Sequence, residues 1–181
     1  MSSILQTEHL LLRPPQAGDI RLIVSLLGDY EVSRNLSTVP HPYTEDDASA
    51  YIVSQADARA RGEGYGFTIL RKSDGALIGI CGVHPARAFE IGYWVGKPYW
   101  RCGFATEAVG AVVAFAFQVL DADSVRASVI EDNLASGRVL EKLGFVPCGN
   151  EERLNLSRGH SVFCHKVILT RAKFEQALNQ Q

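Results

Sequence analysis

A chain of 181 residues with a formal net charge of -2 and a pI near 6.2 carries no basic field of the kind that holds nucleic acid or anionic lipid. Hydrophobic residues at 46% and charged residues at 21% suit one core; no repeat or linker divides the chain, no apolar run reaches membrane-span length, and the start lacks a signal-peptide pattern, so a single domain over 1–181 is expected. Cys81, Cys102, Cys148 and Cys164 form no C-x-x-C pair and have no histidine at ligand spacing, which argues against a zinc site or disulfide framework and for reduced thiols in the cytoplasm.

In chain order, His9–Arg13 reads as a strand closed by Pro14-Pro15, and Asp19–Leu27 has apolar positions at helical spacing. Thr44 reads as the N-cap of a helix running toward Gly62, with Glu45, Asp46 and Asp47 in the first turn, where carboxylates complement the dipole. Tyr65–Arg71 and Ala76–Val83 flank Lys72-Ser73-Asp74-Gly75, whose Asp-Gly predicts a hairpin. Ala88–Val95 is the next strand, stopped by Pro98. Ala105–Leu120 is a helix with only Glu107 charged, so it should lie against a sheet. Val125–Ile130 is a strand, Leu134–Leu143 a helix after Asn133 with Gly144 as its C-terminal cap, Phe145–Arg153 and Ser161–Leu169 are strands, and a polar helix follows from Thr170. Helices interleaved with hairpins predict an α+β fold.

The strand-to-helix junction Pro98–Ala108 is the most informative stretch. Gly103 lets backbone approach a ligand closely, while the unpaired N–H groups of the following helix's first turn point outward with the positive end of the dipole behind them. That geometry predicts a pyrophosphate guest. Asn133 is a favoured N-cap, and Ser136, three residues on, shares its face. Glu90, opening the strand that leads to the junction, is a candidate proton acceptor or a solvated strand-end carboxylate. Cys102, at a helix start, is a conceivable nucleophile, though the turn needs its backbone more. His84 and His41 read as ordinary loop histidines, and Tyr93 and Trp94 as cleft wall or core.

Trp100-Arg101-Cys102-Gly103-Phe104-Ala105 resembles the (Q/R)-x-x-G-x-(G/A) loop of the GNAT N-acetyltransferase superfamily, and Thr106-Glu107-Ala108 the signature of its ribosomal-protein, RimJ/RimL-like branch. Thr7–Arg13, Glu90–Trp94, Asn133–Ser136 and Glu141–Phe145 resemble further stretches of that branch. Trp100 stands where the superfamily has Gln or Arg, and Arg101 replaces a common glycine, which stiffens the loop.

The resemblance implies a mixed, mostly antiparallel sheet flanked by helices, whose central strands splay to admit acetyl-coenzyme A. The diphosphate would lie on Arg101, Cys102, Gly103, Phe104, Ala105 and Thr106, and the pantetheine arm along Trp94 and Val95. Asn133 would face the reactive end, and Ser136 would donate to the leaving sulfur. The implied reaction is acetyl transfer to a primary amine with no metal. The branch, and the ordinary pKa of an α-amine, point to a protein or peptide N-terminus as acceptor. The alternatives are a small amine or aminoglycoside, which would need carboxylates such as Glu45, Asp46, Asp47, Glu151 and Glu152 to converge, and a non-catalytic acyl-coenzyme A sensor. The C-terminal helix and the edge strands leave a homodimer open.

Overall fold

The short apolar alternations build one sheet, and the longer 3.6-residue periodicities cover both of its faces. The computed structural model describes residues 4–85 and 89–179. In chain order it runs β1 (Leu5–Gln6), β2 (Leu10–Arg13), α1 (Ile20–Leu27), α2 (Tyr30–Ser33), α3 (Glu45–Arg61), β3 (Tyr65–Arg71), β4 (Leu77–Pro85) and β5 (Phe89–Val95). Then come α4 (Phe104–Gln118), β6 (Ser124–Ile130), α5 (Leu134–Lys142), β7 (Val146–Asn155), β8 (His160–Thr170) and α6 (Arg171–Leu178). The strands form an 8-stranded sheet in the order β1-β2-β3-β4-β5-β6-β8-β7. Every neighbouring pair is antiparallel except β5–β6, so the sheet is mixed and mostly antiparallel as expected.

The parallel pair positions everything else. β5 and β6 pair only at Phe89↔Val125 and Glu90↔Arg126. Beyond that point β5 continues along β4 to Val95, and β6 continues along β8 to Ile130. The two strands therefore part, leaving one edge of each without a ladder partner.

On one face, Phe67, Ile69, Cys81, Val83 and Ile91 pack against Val109, Val112, Val113 and Ala116 of α4, a helix apolar nearly all round. Each of the Phe, Ile and Val side chains among them contributes roughly 1.5–3 kcal/mol by leaving water. On the other face, Ile80 and Leu77 lie under Ile23 and Leu27 of α1 and Ala48 of α3. Thr44 caps α3 through a capping box with Asp47, and Gly62, at φ 73°, ends it. Among the described residues no helix is long and apolar enough to cross a membrane.

Several elements depart from the sequence reading. β1 and α2 are too short to show a period; β1 is a two-residue pairing onto β2, and α2 is one turn capped when Asp29 accepts from the Glu31 amide at 2.9 Å. Asp19 ends a 3-10 turn and stands as the N-cap of α1, whose first helical residue is Ile20. Its buried carboxylate takes both guanidinium nitrogens of Arg13 at 2.8 and 2.7 Å, the Gln16 amide at 2.9 Å and the Thr68 hydroxyl at 3.0 Å. Burial alone would raise the Asp19 pKa, yet these donors hold it below the ordinary carboxylate value. β5 ends at Val95, before Pro98, which sits in a 3-10 turn over Lys97–Tyr99. His84 lies on β4, not in a loop. Ala88, the expected start of β5, lies outside the described residues.

Candidate active site

The chain from Tyr99 to Phe104 turns through two left-handed residues, Arg101 at φ 63° and Gly103 at φ 83°. The common glycine that Arg101 replaces has a physical reason, because a side-chain-bearing residue there costs about 1–2 kcal/mol. Among the described residues, the amides of Arg101, Cys102, Gly103, Phe104, Ala105 and Thr106 have no protein acceptor, whereas Trp100 donates to the Lys97 carbonyl and Glu107 to that of Gly103. A Cβ built at Gly103 would meet nothing within 4 Å. An open turn lined with unspent donors at a helix start matches a diphosphate.

Glu107 stands in the first turn of α4 but faces the other way. Its carboxylate takes the Thr7 hydroxyl at 2.5 Å and the His9 amide at 2.7 Å, with the His9 ring 3.0 Å away. Burial would raise its pKa, but these bonds lower it on balance. The charge thus pins α4 to the β1–β2 turn without opposing an anion at the amides.

The turn opens into a cleft of about 1210 Å³ that follows the gap between β5 and β6. Trp94, Val95, Arg101, Gly103, Phe104, Ala105, Thr106, Asn133, Ser136 and Glu90 all line it. Cys102 does not; its thiol is exposed and lies 3.4 Å from the Trp100 carbonyl. Strand alternation sorts the rest. The Gly96 amide bonds to Ile78 on β4 at 2.8 Å, so the backbone of Trp94 also faces β4, and that of Tyr93 and Val95 faces the gap. The Val95 carbonyl is taken by the Trp100 indole N–H at 2.6 Å, leaving the amides of Val95 and Tyr93 toward the gap.

The two side chains read as chemically active sit on opposite sides of the sheet. Glu90 shares the α1–α3 face with Trp94, and Ser136 reaches the gap from α5, which packs against α4 on the other side. Glu90 is gripped by Arg153 of β7 at 2.9 Å, and Arg153 also bonds Glu151 at 2.5 Å, so this pair bridges the region where the backbone ladder has ended. Asn133 accepts from the Ser136 amide at 3.2 Å and so caps α5. The Ser136 hydroxyl lies 2.8 Å from the Tyr93 hydroxyl, which is also 3.2 Å from the Ser136 carbonyl.

Four features escaped the sequence. The Tyr93–Ser136 and Glu90–Arg153 pairings join segments far apart in the chain, with no local signal. His84 stands directly opposite Glu90 and lines the cleft, in a space that exists because Gly64 lacks a side chain; a Cβ there would come within 2.8 Å of its Nδ1. Desolvation lowers the His84 pKa, with Glu90 opposing, which favours the neutral imidazole. A third tie closes the cleft's far end: Arg158 binds Asp132 through both guanidinium nitrogens at 2.8 Å, and Arg34 joins at 3.2 Å. The parity of Glu90, Gly92 and Trp94 against Ile91, Tyr93 and Val95 was the one available clue that Tyr93 points toward α5.

Residues 9–146 match the acetyltransferase (GNAT) domain family. The chain belongs to that family. The GNAT chain is 33% identical to the N-acetyltransferase YoaA of Bacillus subtilis over 80% of its own length and 84% of the relative's. It is 30% identical to the N-acetyltransferase p20 of Bacillus licheniformis over 94% and 97%. Among solved structures, the ribosomal-protein-S5-alanine acetyltransferase of Vibrio fischeri superposes with a TM-score of 0.81 at 18% identity, covering 95% of this chain and 98% of that one. RimJ of Mycobacterium smegmatis, in complex with CoA-disulfide, superposes with a TM-score of 0.81 at 19% identity, covering 95% and 88%. This GNAT enzyme is accordingly an acetyl-CoA-dependent N-acetyltransferase, and the splayed sheet is its family's fold.

Proposed function

We propose that the enzyme acetylates a protein or peptide N-terminal α-amine, and that the β5–β6 gap holds both reactants. The observation that supports this reading most is that the open amide turn, the unpaired β5 edge, Ser136 and Glu90 all line one cleft. Bound acetyl-CoA supplies an activated acyl group on a good thiol leaving group. The amides from Arg101 to Thr106 hold its diphosphate, and the Tyr93 and Val95 amides hold its arm and the developing oxyanion. Asn133 keeps the start of α5, and with it Ser136, at the reactive end. Ser136 donates to the departing sulfur, and Glu90, with one oxygen on Arg153, draws the amine's proton through water.

Two arguments favour an α-amine. An α-amine of pKa about 7.7–8.0 is roughly a tenth neutral at pH 7, whereas a lysine amine near 10.4 costs about 3.4 kcal/mol more to deprotonate. A weak base therefore suffices. The Vibrio fischeri protein of the same fold carries a ribosomal-protein acetyltransferase name. A polycationic acceptor is disfavoured, because the acids lining the cleft are engaged: Glu90 by Arg153, Asp132 by Arg158 and Arg34, Glu31 by Arg34, and Asp47 by Thr44. Glu151 is held by Ser128 and Arg153.

The test is thiol release from acetyl-CoA across short peptides with free or blocked N-termini, lysine amines, polyamines and aminoglycosides. Free N-termini should be acetylated at least tenfold faster than lysine amines. Preference for polyamines or aminoglycosides would overturn the acceptor assignment. Cofactor binding without release on any amine would leave a sensor.

A further inference from the structure

The Ser136 hydroxyl, the donor in the proposed reaction, is not alone. Tyr93 approaches from β5 with its oxygen 2.8 Å from Ser136 Oγ and 3.2 Å from the Ser136 carbonyl, and both residues line the cleft. Strand parity brings Tyr93 there, because Ile91 and Val95, two residues either side, are buried against α4. Tyr93 thus leaves the core at the point where β5 and β6 have parted, and reaches the first turn of α5.

We propose that Tyr93 is a positioning residue that donates its hydroxyl hydrogen to Ser136 Oγ, so that the serine's own hydrogen is aimed into the gap at the departing sulfur. A hydroxyl has one hydrogen to give. If Ser136 gave its hydrogen to Tyr93, nothing would remain for the sulfur, so the direction of this one bond decides whether Ser136 can act. The phenol hydrogen has two acceptors in reach, the Ser136 carbonyl at 3.2 Å and Oγ at 2.8 Å; the shorter contact takes it to Oγ, and accepting a bond there polarises the serine O–H into a stronger donor. Burial strongly favours the un-ionised phenol, partly offset by the Ser136 bond, so Tyr93 has a hydrogen to give.

In the step itself, the amine nitrogen forms a bond to the acyl carbon and the carbon–sulfur bond breaks, its electron pair going to sulfur. Ser136 stabilises that thiolate by a hydrogen bond, and neither hydroxyl ionises. The amine's proton leaves through water on the Glu90 side, and solvent returns one to the thiolate.

This inference rests on the donor role of Ser136, and the experiment separates the two. Turnover is measured for wild type, Tyr93→Phe, Ser136→Ala, the double variant and Ser136→Thr, with KM for acetyl-CoA. Tyr93→Phe should lower kcat about tenfold with KM changed less than twofold, and the double variant should be no slower than Ser136→Ala alone. Ser136→Thr, which keeps a hydroxyl, should retain most of the activity and remain sensitive to Tyr93→Phe. Unchanged kcat in Tyr93→Phe beside a slow Ser136→Ala would overturn only the positioning role. Losses that multiply in the double variant, or a loss carried entirely in KM, would do the same. Full turnover in Ser136→Ala would instead remove the donor role on which the inference stands. Thermal unfolding of each variant identifies a folding defect, and Ser136→Thr then carries the decision.

Discussion

The two ends of the cleft are built on different principles. The turn from Arg101 to Thr106 presents backbone donors whose positions follow from one left-handed glycine and the start of α4, so a single stretch of chain makes the whole anion site. The reactive end is assembled from β4, β5, α5 and β7, and its side chains meet only because β5 and β6 part after Glu90. A backbone site tolerates side-chain change and fails when the backbone is displaced. A side-chain site fails one partner at a time.

The largest expected effect breaks the backbone end. Gly103→Asp puts a Cβ on a residue at φ 83° and a carboxylate beside the open amides. Like charges in such a site cost several kcal/mol, on the order of a hundredfold or more in affinity. Calorimetric titration with coenzyme A should show binding lost while the variant stays folded. Retained affinity would mean that the diphosphate lies elsewhere.

Ser136→Ala tests the other end. The variant should bind coenzyme A as wild type does, yet turn over roughly tenfold to a thousandfold more slowly. Steady-state kinetics with a peptide acceptor would show the split, and a rise in KM alone would move Ser136 to the binding end.

This contrast also explains what could be read from the sequence. The Gly103 turn, the Thr44 and Asn133 caps and the Lys72–Gly75 hairpin are local, and each is encoded within a few neighbouring residues. The mixed antiparallel sheet with a central splay followed from resemblance, since no residue pattern announces where two strands stop pairing. Arg153 on Glu90, Tyr93 on Ser136 and Arg158 on Asp132 were invisible, because partners so distant in the chain leave no periodicity. β1 and α2 were missed for want of length. His84 was misread as a loop residue because its strand runs past the apolar alternation to Pro85.

A scaffold substitution should disturb neither end. Asp19→Asn removes the ion pair that ties β2 to α1, at a cost of about 1.5–3 kcal/mol for a charged hydrogen bond, while kcat and coenzyme A affinity at 25 °C stay near wild type. The sign with pH follows from the depressed Asp19 pKa. The extra stability is present above the unfolded carboxyl's ordinary value of 3.8 and fades as pH falls through the lower folded value. Denaturant titrations should therefore find the gap between wild type and variant constant near neutrality and closing below pH 3.8. A gap that persists at the acid end would place the effect in packing.

The smallest effect sharpens the comparison most, because it asks whether the backbone end carries strain. Arg101 sits at φ 63°, where glycine is at ease and arginine is not. Arg101→Gly should recover about 1–2 kcal/mol of that strain and give back about 0.4–1 kcal/mol through the freer unfolded chain. The balance is a gain of roughly 0.5–1 kcal/mol, a rise in Tm of about 1–4 °C for a chain of this size. Scanning fluorimetry without cofactor resolves such a shift. If Tm rises while coenzyme A affinity holds, the amides alone make the site. If Tm rises and affinity falls, the guanidinium contributes to the diphosphate's charge, and its strained backbone is tolerated for that contact. A fall in Tm would show that Arg101 is held by interactions worth more than its strain.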